Sequence, residues 1–95
     1  MKQPAVYIMT NERNGTLYVG VTSDLITRIY QHKEGVIDGF TKKYGCKILV
    51  FYEVHSTMEA AIAREKQIKA GSRRNKLKLI EDMNLLWEDL YEEII

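Results

Sequence analysis

Ninety-five residues, 45% hydrophobic and 28% charged, set the scale of one small domain with one core. No apolar run approaches the roughly 18–20 residues of a membrane span, and a lone cysteine, Cys46, excludes an internal disulfide and a thiolate zinc cluster. The net charge of +1 is unevenly divided: residues 1–80 hold 14 bases against 7 acids, and residues 81–95 hold 6 acids and no base.

The basic body offers a surface to a phosphate backbone, although a solvated surface balanced by the acidic end accounts for the same charges. Met1-Lys2-Gln3-Pro4 leads straight into a short apolar strand, unlike a secretory leader. With one cysteine, a reduced, cytoplasmic setting is the expectation.

Ala5-Val6-Tyr7 and Tyr18-Val19-Gly20 lie in short alternating runs separated by Asn11-Glu12-Arg13-Asn14-Gly15. That pattern predicts a hairpin. Alternation puts Val6 and Ile8 on one face, with Leu17, Val19 and Val21 on one face of the second strand. Tyr7 and Tyr18 then stand together on the opposite side, beside a glycine that permits close approach. Thr22-Ser23-Asp24 supplies capping residues for a helix over about 24–34 that carries Leu25, Ile26, Ile29 and Tyr30, with Gly35 as its stop. Residues 35–46 read as a glycine-punctuated loop with a short helical turn at Thr41–Tyr44.

Lys47–His55 is β-branched and aromatic. Alternation sets Ile48, Val50, Tyr52 and Val54 against Leu49 and Phe51, so the strand is expected to be covered on both faces and central. Ser56 and Glu59 fit a capping box for a second helix that runs to Ala70, where Gly71 ends it. Ser72 caps a third helix to about Asp82, with Leu77 and Ile80 inward. A last helix is expected over Leu86–Ile94, around Trp87 and Tyr91. The order predicts one small α+β domain with a short antiparallel sheet.

Some residues break these patterns. Glu65 falls on the stripe of Met58, Ala61, Ile62 and Ile68. A carboxylate there calls for a divalent cation, for Lys69 one turn on, or for a place at the stripe's edge where it reaches water. Arg28 and His32 share the polar side of the first helix with Asp24 and Gln31. Spacing alone reads them as surface residues, with Asp24 and Arg28 as an ordinary i, i+4 pair, or as a cation and an imidazole aimed together at a phosphate. Lys66, Lys69, Arg73, Arg74, Lys76 and Lys78 form the densest basic run, which is either a solvated face or a nucleic-acid track.

Together these residues resemble the GIY-YIG nuclease superfamily, above all its small stand-alone bacterial members. The resemblance runs through Ala5-Val6-Tyr7, Tyr18-Val19-Gly20, Thr22-Ser23-Asp24-Leu25, Arg28, Gln31 and His32, then Gly39-Phe40-Thr41 and Tyr52-Glu53. It continues through Ala60–Lys69, Arg73, Leu79-Ile80-Glu81, Asn84 and Trp87-Glu88-Asp89-Leu90. Ala5 stands where the first motif has glycine, Val6 where isoleucine is usual, and Leu85 where proline usually follows the asparagine.

The resemblance implies a three-stranded antiparallel sheet flanked by helices, and a metal-dependent endonuclease acting on DNA, with a role in repair or recombination. It makes Tyr7 and Tyr18 the paired tyrosines, Arg28 the phosphate clamp, His32 an assisting residue and Glu65 the ligand of magnesium or manganese. Within that frame Tyr7 is expected to be the general base and Tyr18 the positioner. Lys66, Lys69, Arg73, Arg74, Lys76 and Asn84 are expected to face nucleic acid, with a protein partner able to supply specificity. Two rivals are a nucleic-acid-binding module of the same fold with little cleavage, and a protein-interaction domain built on the Trp87–Tyr91 tail.

Overall fold

The computed structural model describes residues 3–95. Its elements are β1 (Ala5–Thr10), β2 (Leu17–Thr22), α1 (Leu25–Glu34), α2 (Phe40–Tyr44), β3 (Ile48–Val54), α3 (Met58–Ala70), α4 (Arg73–Met83) and α5 (Tyr91–Ile94). The three strands form one antiparallel sheet in the order β2-β1-β3. This is the α+β architecture expected, with a change of centre: β1 is the middle strand and β3 an edge. All six residues of β1 are buried, because both its edges are paired and both its faces covered.

One face of the sheet carries Val6, Ile8 and Val19 and is covered by α3 and α4 through Ala61, Ile68 and Ile80. The other carries Tyr7 and Met9 and packs against Ile29 of α1 and Leu90 near the C-terminus. Strict alternation fails on β3. Ile8 pairs with Phe51 but Met9 pairs with Leu49, so Val50 is an extra residue. The bulge reverses the order of faces. Phe51 joins Ile48 and Val50 beneath α3 and α4, while Tyr52 joins Leu49 on the α1 side.

Local chemistry explains most boundaries. Asp24 Oδ1 accepts from Thr27 N at 3.4 Å to start α1, and Gly35 ends it at φ 70°. The cap of α3 is Thr57, which accepts from Ala60 N at 3.1 Å, one residue beyond the Ser56 expected. Ser72 caps α4 as expected, accepting from Asn75 N at 3.1 Å.

The expected C-terminal helix shrinks to Tyr91–Ile94. Asn84 prevents the longer one. Its side-chain amide donates to Glu88 O (2.7 Å) and Val50 O (3.3 Å), and its Oδ1 accepts from Glu88 N (3.0 Å). The enclosed turn brings Trp87 to φ 58° and leaves Leu86 64% exposed. Residues 89–90 then reach the bulge of β3: Leu90 N donates to Leu49 O (2.8 Å) and Leu49 N to Asp89 Oδ1 (3.2 Å). Among the described residues, no helix is long and apolar enough to cross a membrane.

Candidate active site

The hairpin brings the two tyrosines together as alternation requires. Tyr7 lies opposite Gly20 and Tyr18 opposite Met9, and their ring centroids are 6.3 Å apart. Gly20 makes the arrangement possible. A Cβ there would stand 2.5 Å from Cζ and Oη of Tyr7 and 3.0 Å from Cε2 of Tyr18, closer than carbon atoms pack. The Tyr7 ring lies in the space a side chain would fill.

α1 supplies the third ring. His32 is 3% exposed, so the polar side of α1 faces the tyrosines rather than solvent. This corrects the surface reading of His32. Its ring centroid is 5.6 Å from that of Tyr7 and 5.7 Å from that of Tyr18. Nε2 of His32 lies 2.8 Å from the Tyr7 hydroxyl and Nδ1 lies 2.9 Å from Thr41 Oγ1. Both ring nitrogens are thus engaged, one by β1 and one by α2.

Charge around this cluster is strongly polarised. Burial raises the Tyr7 pKa well above the ordinary tyrosine range, and the neighbouring Tyr18 and the Glu65 charge add to the rise. Arg28, half-buried one turn before His32, opposes it by charge and by hydrogen bonding to the phenol. The same burial, helped by Arg28, lowers the His32 pKa to about 4. Near neutral pH the pair is therefore a neutral phenol and a neutral imidazole beside a guanidinium.

Glu65, on α3, pairs with Lys69 at 2.9 Å, and its side chain is 13% exposed. The stripe expected on α3 is only partly inward: Ala61 and Ile68 are buried, and Ile62 is exposed. Among the described residues, no three His, Cys, Asp or Glu side chains gather into a metal cage. A single oxygen-donor carboxylate does fit magnesium, which keeps several waters and takes few protein ligands.

The rest of the basic run divides by what each residue already holds. Lys66 and Arg74 are exposed, and neither side chain has a partner among the described residues. Arg73 instead braces the hairpin loop, donating to Gly15 O (2.7 Å) and Asn14 O (2.9 Å). Lys76 donates to Gly71 O (2.6 Å) and Lys69 O (3.3 Å) at the end of α3. Asn84 is buried and its amide is used up in the turn described above, so it offers nothing to a nucleic acid. The expectation for Asn84 is corrected on that ground.

α2 adds two aromatic residues for which no role is expected from the sequence pattern. Phe40 stacks on Tyr18 at 5.9 Å with a 29° tilt, and Tyr44 follows Phe40 at 4.7 Å. Both rings are 44% exposed, and Lys43 lies over Tyr44 with Nζ 5.3 Å from the ring centroid. A shallow cavity of about 260 Å³ beside this ladder is lined by Leu17, Tyr18, Val19, Phe40, Lys69 and Lys76. The available signal was Phe40 and Tyr44 at i, i+4 on one short helix, with Thr41 on the same turn.

Comparison with known proteins agrees with this architecture. The GIY-YIG catalytic domain family matches residues 3–78. UPF0213 protein SH2523 of Staphylococcus haemolyticus is 38% identical over 82 residues, covering 86% of this chain and 99% of that protein. UPF0213 protein SSP2268 of Staphylococcus saprophyticus is 39% identical over 70 residues, covering 74% and 85% respectively. The solution NMR structure of UPF0213 protein BH0048 from Bacillus halodurans superposes with a TM-score of 0.58 at 30% identity, covering 92% of each chain.

Proposed function

The chain belongs to the GIY-YIG nuclease family, and from that premise we propose that it is a divalent-metal-dependent endonuclease acting on DNA. The observation that carries the reading is the buried Tyr7–His32 pair beside Arg28, three chemically active groups gathered from β1 and α1. Phosphodiester hydrolysis needs a cation at the phosphate, an acceptor for the proton of the attacking water and help for the leaving oxygen.

Arg28 supplies the clamp for a non-bridging phosphate oxygen. Tyr18, half-buried, meets the substrate and positions it. Tyr7 accepts the proton of the attacking water while passing its own to Nε2 of His32, so no buried phenolate accumulates. Phosphate on Arg28 offsets the positive charge that depresses His32, making the imidazole a better acceptor once substrate is in place. Glu65 would hold magnesium or manganese, which when bound neutralises charge on the scissile phosphate. Lys69 must then leave Glu65.

The ladder of Tyr18, Phe40 and Tyr44 favours DNA with unstacked bases, such as flaps, junctions or single strands, because exposed aromatic faces take up splayed bases. A second reading, nucleic-acid binding with little turnover, draws on the Lys69 ammonium already held by Glu65.

Cleavage of labelled duplex, flapped, four-way-junction and single-stranded DNA decides between them, with magnesium, manganese or EDTA and beside Glu65→Gln. Metal-dependent products that vanish in the variant support the nuclease. Salt-dependent binding without products supports the binding module.

A further inference from the structure

We propose that Thr41 is a positioning residue for the Tyr7–His32 pair: its hydroxyl accepts the Nδ1 hydrogen of His32 and thereby keeps Nε2 bare toward the Tyr7 hydroxyl. Its catalytic consequence rests on the nuclease reading. The direction of the hydrogen bonds does not.

A neutral imidazole carries one hydrogen, so the two contacts of His32 must run in a common direction. Either Tyr7 donates to Nε2 and Nδ1–H donates to Thr41, or Thr41 donates to Nδ1 and Nε2–H donates to Tyr7. The two hydroxyls decide between them: each needs an acceptor for its hydrogen, and only one bare ring nitrogen is there to share. Tyr7 has no solvent exposure, and Nε2 is the acceptor its hydroxyl has among the described residues. In the reverse direction the phenol hydrogen would have no acceptor among the described residues. In the forward direction the phenol hydrogen is matched by Nε2 at 2.8 Å. The forward direction leaves the unmatched hydrogen on Thr41, an aliphatic hydroxyl and so a weaker donor than the more acidic phenol.

The sequence builds Thr41 into place. It is 4% exposed on the five-residue α2, which the left-handed Gly45 ends at φ 67°. The carbonyl of Thr41 accepts from Cys46 N at 2.9 Å, closing that turn onto the start of β3. A residue whose backbone is pinned and whose hydroxyl points at a buried imidazole holds the ring's tautomer as well as its angle.

The test is long-range ¹H–¹⁵N NMR of the imidazole nitrogens in the full-length ¹⁵N-labelled protein, with cleavage kinetics beside it. The parent is expected to show hydrogen on Nδ1 and a bare Nε2. Thr41→Val is expected to move hydrogen to Nε2 and lower kcat about 10- to 100-fold with KM unchanged, the range for losing a partner that orients an imidazole. Thr41→Ser is expected to restore both. Hydrogen on Nε2 in the parent overturns the proposal, as does a Thr41→Val protein whose tautomer or kcat is unchanged. If Thr41→Val does not fold, the parent's tautomer and the kinetics of Thr41→Ser still decide. If no form of the protein cuts DNA, the nuclease reading fails while the NMR result still judges the hydrogen-bond direction.

Discussion

His32 is the residue whose environment departs most from its expected one, and its burial has a thermodynamic consequence. Unfolded, it titrates near the ordinary histidine value of about 6.5; folded, at about 4. Between those values the unfolded chain binds more protons, so stability rises with pH across the window. The contribution is complete above about 6.5 and is lost as pH falls toward 4. It amounts to something on the order of 2–3 kcal/mol. Urea unfolding of the parent and of His32→Gln at several pH values checks this. The difference between their stability curves is expected to slope from pH 4 to 6.5 and be flat above. Equal slopes would mean that His32 is not buried in its neutral form. The tyrosines were legible in the sequence because strand alternation and a facing glycine are local signals. The burial of His32 was not, since the polar side of α1 looks the same whether it meets water or a phenol.

At the scale of elements, β3 depends on a segment forty residues away. Asp89 accepts from Leu49 N and Tyr91 N and pairs with Lys33, which also donates to Lys47 O. Asp89→Ala removes the acceptor of a fully buried strand residue and is expected to cost about 1–3 kcal/mol in chemical denaturation. Asp89→Asn keeps an oxygen there and is expected to lose less than Asp89→Ala. Equal losses would assign the effect to the ion pair alone. Helices with end signals of their own, α1 and α4, matched the sequence closely. The bulge at Val50 and the short α5 did not: β1 sets the register of the first, and the Asn84 side chain, bridging Glu88 and the distant Val50, ends the helical reading of the second.

For the whole molecule, the +1 net charge sums a body of residues 1–80 with more bases than acids and an acidic segment that pairs with it in part, through Asp89 on Lys33 and Asp82 on Lys78. Several bases are already committed: Arg73 and Lys76 to backbone carbonyls, Lys78 to Asp82 and Arg64 to Glu53. Lys66 and Arg74 are the members of the basic run left without partners among the described residues. Each is expected to contribute one phosphate contact. Lys66→Ala and Arg74→Ala should weaken DNA binding similarly on all sequences and flatten the log–log salt dependence by about one unit each. An unchanged salt slope in both variants would place the DNA track elsewhere.

The bond from Leu90 to Leu49 also orders events in time. Tyr7, His32 and Thr41 have all been synthesised by residue 41, yet the sheet face that holds Tyr7 packs against Leu90. During translation the hairpin and α1 leave the ribosome with that face covered only in part, by Ile29. The cluster therefore reaches its packed state only after the segment following α4 has emerged and docked. A nascent chain stalled near residue 83 would carry the tyrosines, the histidine and Glu65 but lack the packing that encloses them. The buried Trp87, the chain's single tryptophan, provides a fluorescent marker for the moment of closure.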